Sequence, residues 1–252
     1  MNYKKEKDEE LLVLIKEIFF NNYEKYGYLR VTQELKNQGY NVNKKKVQRL
    51  MKENNLFAKP KKRSYHSYRG IVGDIAPNII DRDFIAFRPY EKAGTDVTVF
   101  ITQYGKLYLS PIIDFHTREI LAYDLSEHPD MKQIWRMLNN LKERHGDNIK
   151  GMILHSDQGY QYQLKAYHRK LEEMEIIQSM SRKGNCLDNS PTENFFGRLK
   201  TEMFYEKEYL YNSLEELRQS IIDYIEYYNK ERIVSKLKNS PINYRERFYS
   251  VV

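Results

Sequence analysis

Between residues 95 and 125 the chain reads TDVTVFIT, KLYLSPIID and REILAYDL, runs of alternating polar and apolar residues separated only by Tyr104-Gly105 and DFHT. A period of two with turn residues between the runs predicts three consecutive strands in a meander. The period then changes. In MKQIWRMLNNLKER, residues 131–144, Ile134, Trp135, Leu138 and Leu141 share one face of a helix, and the short apolar strand GMILHS follows. A helix near 160–173, a strand at 175–178 and two later helices complete the order β-β-β-α-β-α-β-α. A strand that returns through a helix usually runs parallel to its partner, so the pattern predicts an α/β fold: a mixed five-stranded sheet with flanking helices.

Acidic residues in such a sheet need a reason, because an ionised carboxylate among apolar neighbours is costly unless it is paired or bound to a cation. Asp96 is the second residue of the first predicted strand. Asp157 follows the fourth strand in His155-Ser156-Asp157-Gln158-Gly159, and Glu193 opens the helix TENFFGRLK. The topology lets all three converge at one end of the sheet. Taken singly, each also has a plain structural role: an edge charge, a turn residue, and a first-turn acid favoured by the helix dipole. His155, Ser156 and Gln158 are candidates to orient Asp157, and Asp188 and Asn189 to cap or order the segment before the glutamate helix. Asp114 and Asp124 read as turn and edge acids.

Ahead of the strands lies a helical segment. Leu11, Leu12, Leu14, Ile15, Ile18 and Phe19 form an apolar stripe, and a short helix follows around Leu29–Lys36. Gly39 can end that helix, and Asn43 can cap a third that holds Val47, Leu50 and Met51. Two short helices around a glycine turn have the form of a helix-turn-helix, with Lys44, Lys45, Lys46, Arg49 and Lys52 on the outer face of the second. A helical bundle with no nucleic-acid role has the same pattern. The charge is concentrated here: of the net +7, residues 41–70 hold ten Lys or Arg against one acid, whereas residues 71–252 carry 25 bases and 27 acids. A basic block beside a near-neutral body suits contact with a polyanion, and a solvated linker would look alike from charge alone. Lys61, Lys62 and Arg63 lie in the Pro-containing continuation of that block. The predicted organisation is a helix-turn-helix over 1–57, a basic linker over 58–90, an α/β core over 91–205 and a helical tail over 206–252.

Other classes are disfavoured. No run approaches the roughly 18 apolar residues of a membrane span, and MNYKKEKDEE followed by the short LLVLI is no signal peptide, so a soluble intracellular protein is expected. The single Cys186 cannot form an internal disulfide, and six scattered His with no HExxH and no paired CxxC give no zinc framework.

The three acidic blocks, Thr95-Asp96-Val97-Thr98, HSDQGYQY at 155–162 and GNCLDNSPTENFFGRLKTEMFY at 184–205, resemble those of bacterial insertion-sequence transposases. The subgroup is the one encoded in two overlapping reading frames, with this chain similar to the second frame's product. Thirty-five residues separate Asp157 from Glu193, the D,D(35)E spacing shared with retroviral integrases. Residues 26–56 resemble the family's amino-terminal helix-turn-helix, and YYNKERIVSKLKNSPINYRE at 227–246 its carboxy-terminal motif, so the resemblance spans nearly the whole chain. Two departures stand out: Lys92-Ala93-Gly94-Thr95 lacks the Trp that many relatives carry before the first Asp, and Val234 stands where His or Gln is common.

The resemblance implies a ribonuclease-H-like core of the integrase superfamily, with Asp96, Asp157 and Glu193 as catalytic triad and metal ligands and Asp96 bridging two ions. It places Lys200, seven residues after the glutamate, against the DNA end. Two Mg2+ (or Mn2+) ions suit phosphoryl transfer, since hard cations take oxygen ligands and can activate the attacking oxygen and stabilise the leaving one. The implied partners are double-stranded DNA (element ends and target), the upstream frame's product as a fusion, and further copies of the chain, in a bacterial cytoplasm at the nucleoid. Arg232, Lys236, Lys238 and Arg245 are candidates to hold DNA or a second protomer. The rival reading is a catalytically silent DNA-binding protein or inhibitor of transposition. A ribonuclease acting on RNA-DNA hybrids fits the core but not the helix-turn-helix.

Overall fold

The computed structural model describes residues 2–58, 73–182 and 189–251. Three helices open the chain: α1 (Asn2–Asn21), α2 (Tyr28–Asn37) and α3 (Lys44–Glu53). Gly39 has φ +89°, a left-handed conformation that glycine adopts without strain. Asn43 caps α3 by accepting from the Lys45 amide at 2.9 Å. Ile15, Ile18, Phe19, Val31, Leu35, Val47, Leu50 and Met51 close a small core. Of the apolar residues Leu29 and Leu35 that the sequence offers on α2, Leu35 is buried together with Val31, whereas Leu29 is exposed.

The sheet has strands β1 (Lys92–Thr95), β2 (Thr98–Thr102), β3 (Gly105–Asp114), β4 (Ile120–Ser126), β5 (Ile153–Ser156) and β6 (Ile177–Met180). The predicted first strand over 95–102 is therefore split. Thr95 pairs with Ile112 and Thr98 with Leu109 on one unbroken antiparallel register, so β1 and β2 are two halves of one line broken at Asp96-Val97. That register sets Pro111 opposite Asp96, and proline has no amide hydrogen to offer the ladder. Counting β1 and β2 as one line, the sheet is five positions wide. It runs β4, β3, β1/β2, β5, β6, with β5 parallel to β1 and β6 parallel to β5. This is the mixed sheet expected from the pattern.

Residues of alternate parity on the strands build two cores. Ile112, Leu121 and Leu154 pack with Ile134, Met137, Leu138 and Leu141 of α4 (Met131–His145) and with Tyr167 and Leu171 of α5 (Lys165–Glu173). On the opposite face, Phe100, Leu107, Leu109 and Ile113 pack against Phe195, Phe196 and Leu199 of α6 (Ser190–Leu199) and Leu217, Ile221 and Tyr224 of α7 (Leu214–Lys230). Thus α7, set within a tail by the sequence, covers one face of the sheet, and α8 (Pro241–Val251) packs beside it. Residues 73–90, in the second half of the predicted linker, also lie on the body: the amides of Ile79 and Ile80 donate to Ser179 Oγ at 2.9 and 3.3 Å.

Candidate active site

The parallel pairing of β1 with β5 places Gly94 beside His155. Asp96 and Asp157 each stand two residues further on, so they leave the carboxyl ends of adjacent parallel strands at the same level, where open α/β sheets commonly bind ligands. Helix α6 comes close to the same end. A Cβ on Gly94 would lie 2.6 Å from Thr192 Oγ1 and 2.8 Å from the Phe115 ring. Only glycine lets the helix approach so closely, and Glu193 is the next residue after Thr192, in the first turn of α6.

Asp96 is anchored by both carboxylate oxygens and Asp157 by one. Asp96 Oδ1 accepts from the Val97 amide at 2.7 Å, and its Oδ2 accepts from Asn189 Nδ2 at 3.2 Å. Asp157 Oδ1 accepts from the Gly159 amide at 2.8 Å. Both residues keep part of their surface open to solvent, and Glu193 is exposed. Burial pushes the Asp96 carboxyl well above its ordinary range, and the charges of Asp157 and Glu193 push it further the same way. Burial also raises Asp157, against the pull of the Gly159 amide. Two desolvated carboxylates repelling each other at an open strand end form a hard-oxygen donor set, which a divalent cation would stabilise.

The three acids do not meet on equal terms. Asp96 and Asp157 are a pair, and Glu193 is a third charge within electrostatic reach of Asp96. Among the described residues no three His, Cys, Asp or Glu side chains stand close enough to hold one metal ion. Asn189, considered above as a cap, makes no side-chain capping bond and instead ties the start of α6 to Asp96; its own Oδ1 is buried with no partner among the described residues. Two contributors were not singled out in the sequence: Gly94, visible only once α6 is placed, and Tyr162, a fully buried phenol that feels the charges of Asp96 and Asp157. Nothing beyond the HSDQGYQY block marks Tyr162.

The flanking polar residues bind other groups. His155 Nδ1 bonds Ser179 Oγ at 2.8 Å, Ser156 Oγ donates to the Asp157 carbonyl at 2.9 Å, and Gln158 Nε2 donates to the Ser181 carbonyl at 3.0 Å. These bonds shape the strand ends and go to groups other than the two carboxylates. Asp114 is a turn acid, accepting from the His116 and Thr117 amides, the Thr117 hydroxyl and the Tyr90 amide. Asp124 is bonded by Arg136 from α4.

The bases divide as well. At Lys200 the α-helix gives way to a wider π-helical turn over Lys200–Phe204. The Lys200 ammonium donates to the Val99 carbonyl at 2.7 Å and lies 5.2 Å from the centre of the Phe100 ring; burial holds its pKa down to about 8. On α3, Lys44, Lys45 and Lys52 are exposed. Lys46 and Arg49 turn toward α1, both paired with Asp8, at 2.6 and 2.5 Å, and Arg49 also with Glu53. Those two bases hold Asp8 below the usual carboxylate range. Lys61, Lys62 and Arg63, like Cys186 and Asp188, lie outside the described residues. Near the carboxy terminus, Arg232 is no surface base: it is fully buried, its Nε and Nη2 donating to Glu202 at 2.7 and 2.5 Å. Arg245 pairs with Glu119 at 2.6 Å, whereas Lys236 and Lys238 are exposed. Val234 is buried and bridges to Asn239.

A family model described as an HTH-like domain matches residues 6–64, and two described as an integrase core domain match 86–186 and 193–248. The chain is 48% identical over 236 residues to the putative transposase InsK for insertion sequence element IS150 of Escherichia coli (strain K12), covering 93% of this chain and 82% of that protein. It is 52% identical over 207 residues to an uncharacterized transposase-like protein of Haemophilus influenzae, covering 81% and 93%. Among solved structures, a chain of the simian T-cell lymphotropic virus intasome in complex with PP2A regulatory subunit B56 gamma shares the fold with a TM-score of 0.56 at 12% identity, over 92% of this chain and 73% of that one. The HTLV-2 integrase catalytic core domain in complex with magnesium, in its trimeric form, aligns with a TM-score of 0.51 at 13% identity, over 64% and 99%.

Proposed function

Since the chain belongs to the insertion-sequence transposases with an integrase core, we propose that it cleaves phosphodiester bonds at element ends and joins the freed 3′-hydroxyl to another DNA phosphodiester, with Asp96, Asp157 and Glu193 as the catalytic acids. The observation that carries this reading is the pair Asp96 and Asp157, desolvated and level at the ends of adjacent parallel strands, with Glu193 on the helix that Gly94 admits.

These three residues would hold divalent metal, Mg2+ or Mn2+, with two ions expected. When bound, the metal supplies charge neutralisation at the phosphate and a more acidic attacking oxygen. The chain's own residues hold the site in place. Asn189 and the Val97 amide fix the orientation of the Asp96 carboxylate, and the Gly159 amide fixes that of Asp157. Phe195, Phe196 and Leu199 pin α6 to the sheet, so Glu193 is presented from a rigid element. Lys200 braces the end of that helix on β2 and leaves its ammonium beside the sheet to meet the DNA end. In the helix-turn-helix, Lys44, Lys45 and Lys52 face solvent and would neutralise phosphates, joined by Lys61, Lys62 and Arg63; Lys46 and Arg49 do so only by leaving Asp8.

The reading extends to partners: duplex element ends and target, the upstream frame's product, and further copies of the chain, because two ends must be joined. Among the described residues no helix is long and apolar enough to cross a membrane, and work at the bacterial nucleoid follows from the substrate. The test is strand cleavage and joining on labelled duplexes carrying the element's ends, with Mg2+ or Mn2+, comparing wild type with Asp157→Asn and adding the upstream product in trans. Metal-dependent products lost in the variant support the proposal. End binding with no products under any of these conditions supports the silent DNA-binding protein instead.

A further inference from the structure

Three arginines outside the acidic site gather where the helix-turn-helix, α6 and the β3–β4 turn meet around Tyr228 of α7. The Tyr228 ring stands edge-on to Phe195 of α6, 5.1 Å between centres, and Arg198, three residues further along α6, is a neighbour of Phe195 on that helix surface. The next residue of α7, Asn229, bonds both backbone groups of Ile120, at 2.9 and 3.0 Å, which brings in the turn that carries Arg118. Arg30 arrives from α2: its guanidinium lies 5.4 Å from the centre of the Tyr26 ring and donates to Ser235 Oγ at 3.2 Å.

All three arginines are half-buried. Among the described residues none of them has a carboxylate within ion-pair distance. The acids whose charge reaches them, Glu202 at Arg30 and Asp114 at Arg118, are already filled. Glu202 accepts from Arg232 with both oxygens and from the Tyr224 hydroxyl, and Asp114 accepts from its four turn donors. Partly desolvated guanidinium groups without a counter-ion are unfavourable, and an incoming anion removes that cost. Burial, and after it the charge of Arg232, lowers the pKa of Arg30; burial does the same at Arg118, with Arg198 adding to it.

We propose that Arg30, Arg118 and Arg198 form a phosphate-binding surface that seats the backbone of duplex DNA between the helix-turn-helix and the catalytic body. This rests on the reading of the chain as a transposase. A planar guanidinium matches phosphate oxygens in a two-point contact, and here three come from three separate elements, as a path along a strand needs. Arg198 is five residues beyond Glu193 on the same helix, about 7.5 Å along its axis, or roughly two nucleotides of rise at 3.4 Å each.

The full chain is titrated against a labelled random-sequence duplex between about 50 and 200 mM salt, where each phosphate contact contributes about 0.9 to the slope of log affinity on log salt. Arg118→Gln and Arg198→Gln are each expected to reduce the wild-type slope by about 0.9, which shrinks the affinity lost over this fourfold salt range by about 3.5-fold per variant. Lys132→Gln, at an exposed position on α4, is expected to keep the wild-type slope. Arg118→Lys and Arg198→Lys retain the charge and should restore it even where a glutamine variant melts early. A double glutamine variant that is folded, binds duplex and keeps the wild-type slope overturns the inference and leaves the proposed function standing. A wild-type chain that binds no duplex at any salt, with or without the upstream frame's product, overturns both.

Discussion

Replacing Asp157 by Asn should make the metal-free protein more stable and remove its response to magnesium. Asp96 and Asp157 are neighbours on strands roughly 4.8 Å apart, and two full charges at about 5 Å repel by roughly 3 kcal/mol at an effective dielectric constant of about 20. Burial raises the pKa of both groups, and the charge of Asp157 raises that of Asp96 further, so the fold disfavours this double charge. For a carboxyl whose folded pKa is raised, stability is greatest below the ordinary value of 3.8 and falls as pH climbs through the raised value. At neutral pH the metal-free wild type is on the unfavourable side. Asn removes one charge with little change of shape, and a gain of about 1 to 3 kcal/mol corresponds to roughly 2 to 12 °C in a chain of this size. Magnesium at about ten times its dissociation constant should stabilise the wild type by about 1.4 kcal/mol, or roughly 3 to 5 °C, and the variant by nothing measurable. Thermal melts of both proteins with and without Mg2+ read all four values and need no DNA. A variant that melts below the wild type, or that gains as much from Mg2+, would refute the assignment of a repelling, cation-seeking pair.

Three further outcomes follow from the packing. Glu202→Ala leaves Arg232 fully buried without its partner, so unfolding free energy measured in urea should fall by about 3 to 5 kcal/mol, while Glu202→Leu combined with Arg232→Met should recover most of the loss. Gly94→Ala drives a methyl against Thr192 Oγ1 and the Phe115 ring; it should cost about 1 to 3 kcal/mol in the same assay and lower strand cleavage by displacing α6. Lys200, held at about 8 against an ordinary 10.5, favours the folded state above pH 10.5 and loses that contribution as pH falls through 8; stability of the wild type relative to Lys200→Met should therefore rise between those pH values, and a flat difference would disprove the lowered pKa.

Alternation between residues 95 and 125 was enough to give the meander, and the following change of period gave the helices and the parallel returns, because sheet and helix burial repeat with fixed periods. The break at Asp96 was not legible. It depends on Pro111 falling opposite, a relation between residues that only the register creates. The level placement of Asp96 and Asp157 likewise needs the β1–β5 pairing, although both lay in recognisable blocks. Charge counting found the basic α3 but could not foresee that Asp8, 38 residues before Lys46, would tie up two of its bases. Arg232 shows the same limit from the other side: the sequence marked a basic tail, and the fold buried its arginine against Glu202.

The contacts of the helix-turn-helix with the carboxy-terminal segment bear on how the protein comes off the ribosome. Tyr26 hydroxyl accepts from the Ile233 amide, Tyr227 hydroxyl donates to Asn22, and Ile233 sits in the core of the first domain. The partners in the first of these bonds are 207 residues apart. At a synthesis rate of about 5 to 20 residues per second, roughly 10 to 40 s pass between the making of Tyr26 and of its partner. During that interval the helix-turn-helix can fold on its own short-range contacts and swing at the end of the nascent chain. Its bearing on the catalytic body is set late, so a product cut short before residue 224 lacks the contacts of Tyr224, Tyr227 and Ile233 that fix the geometry between the two.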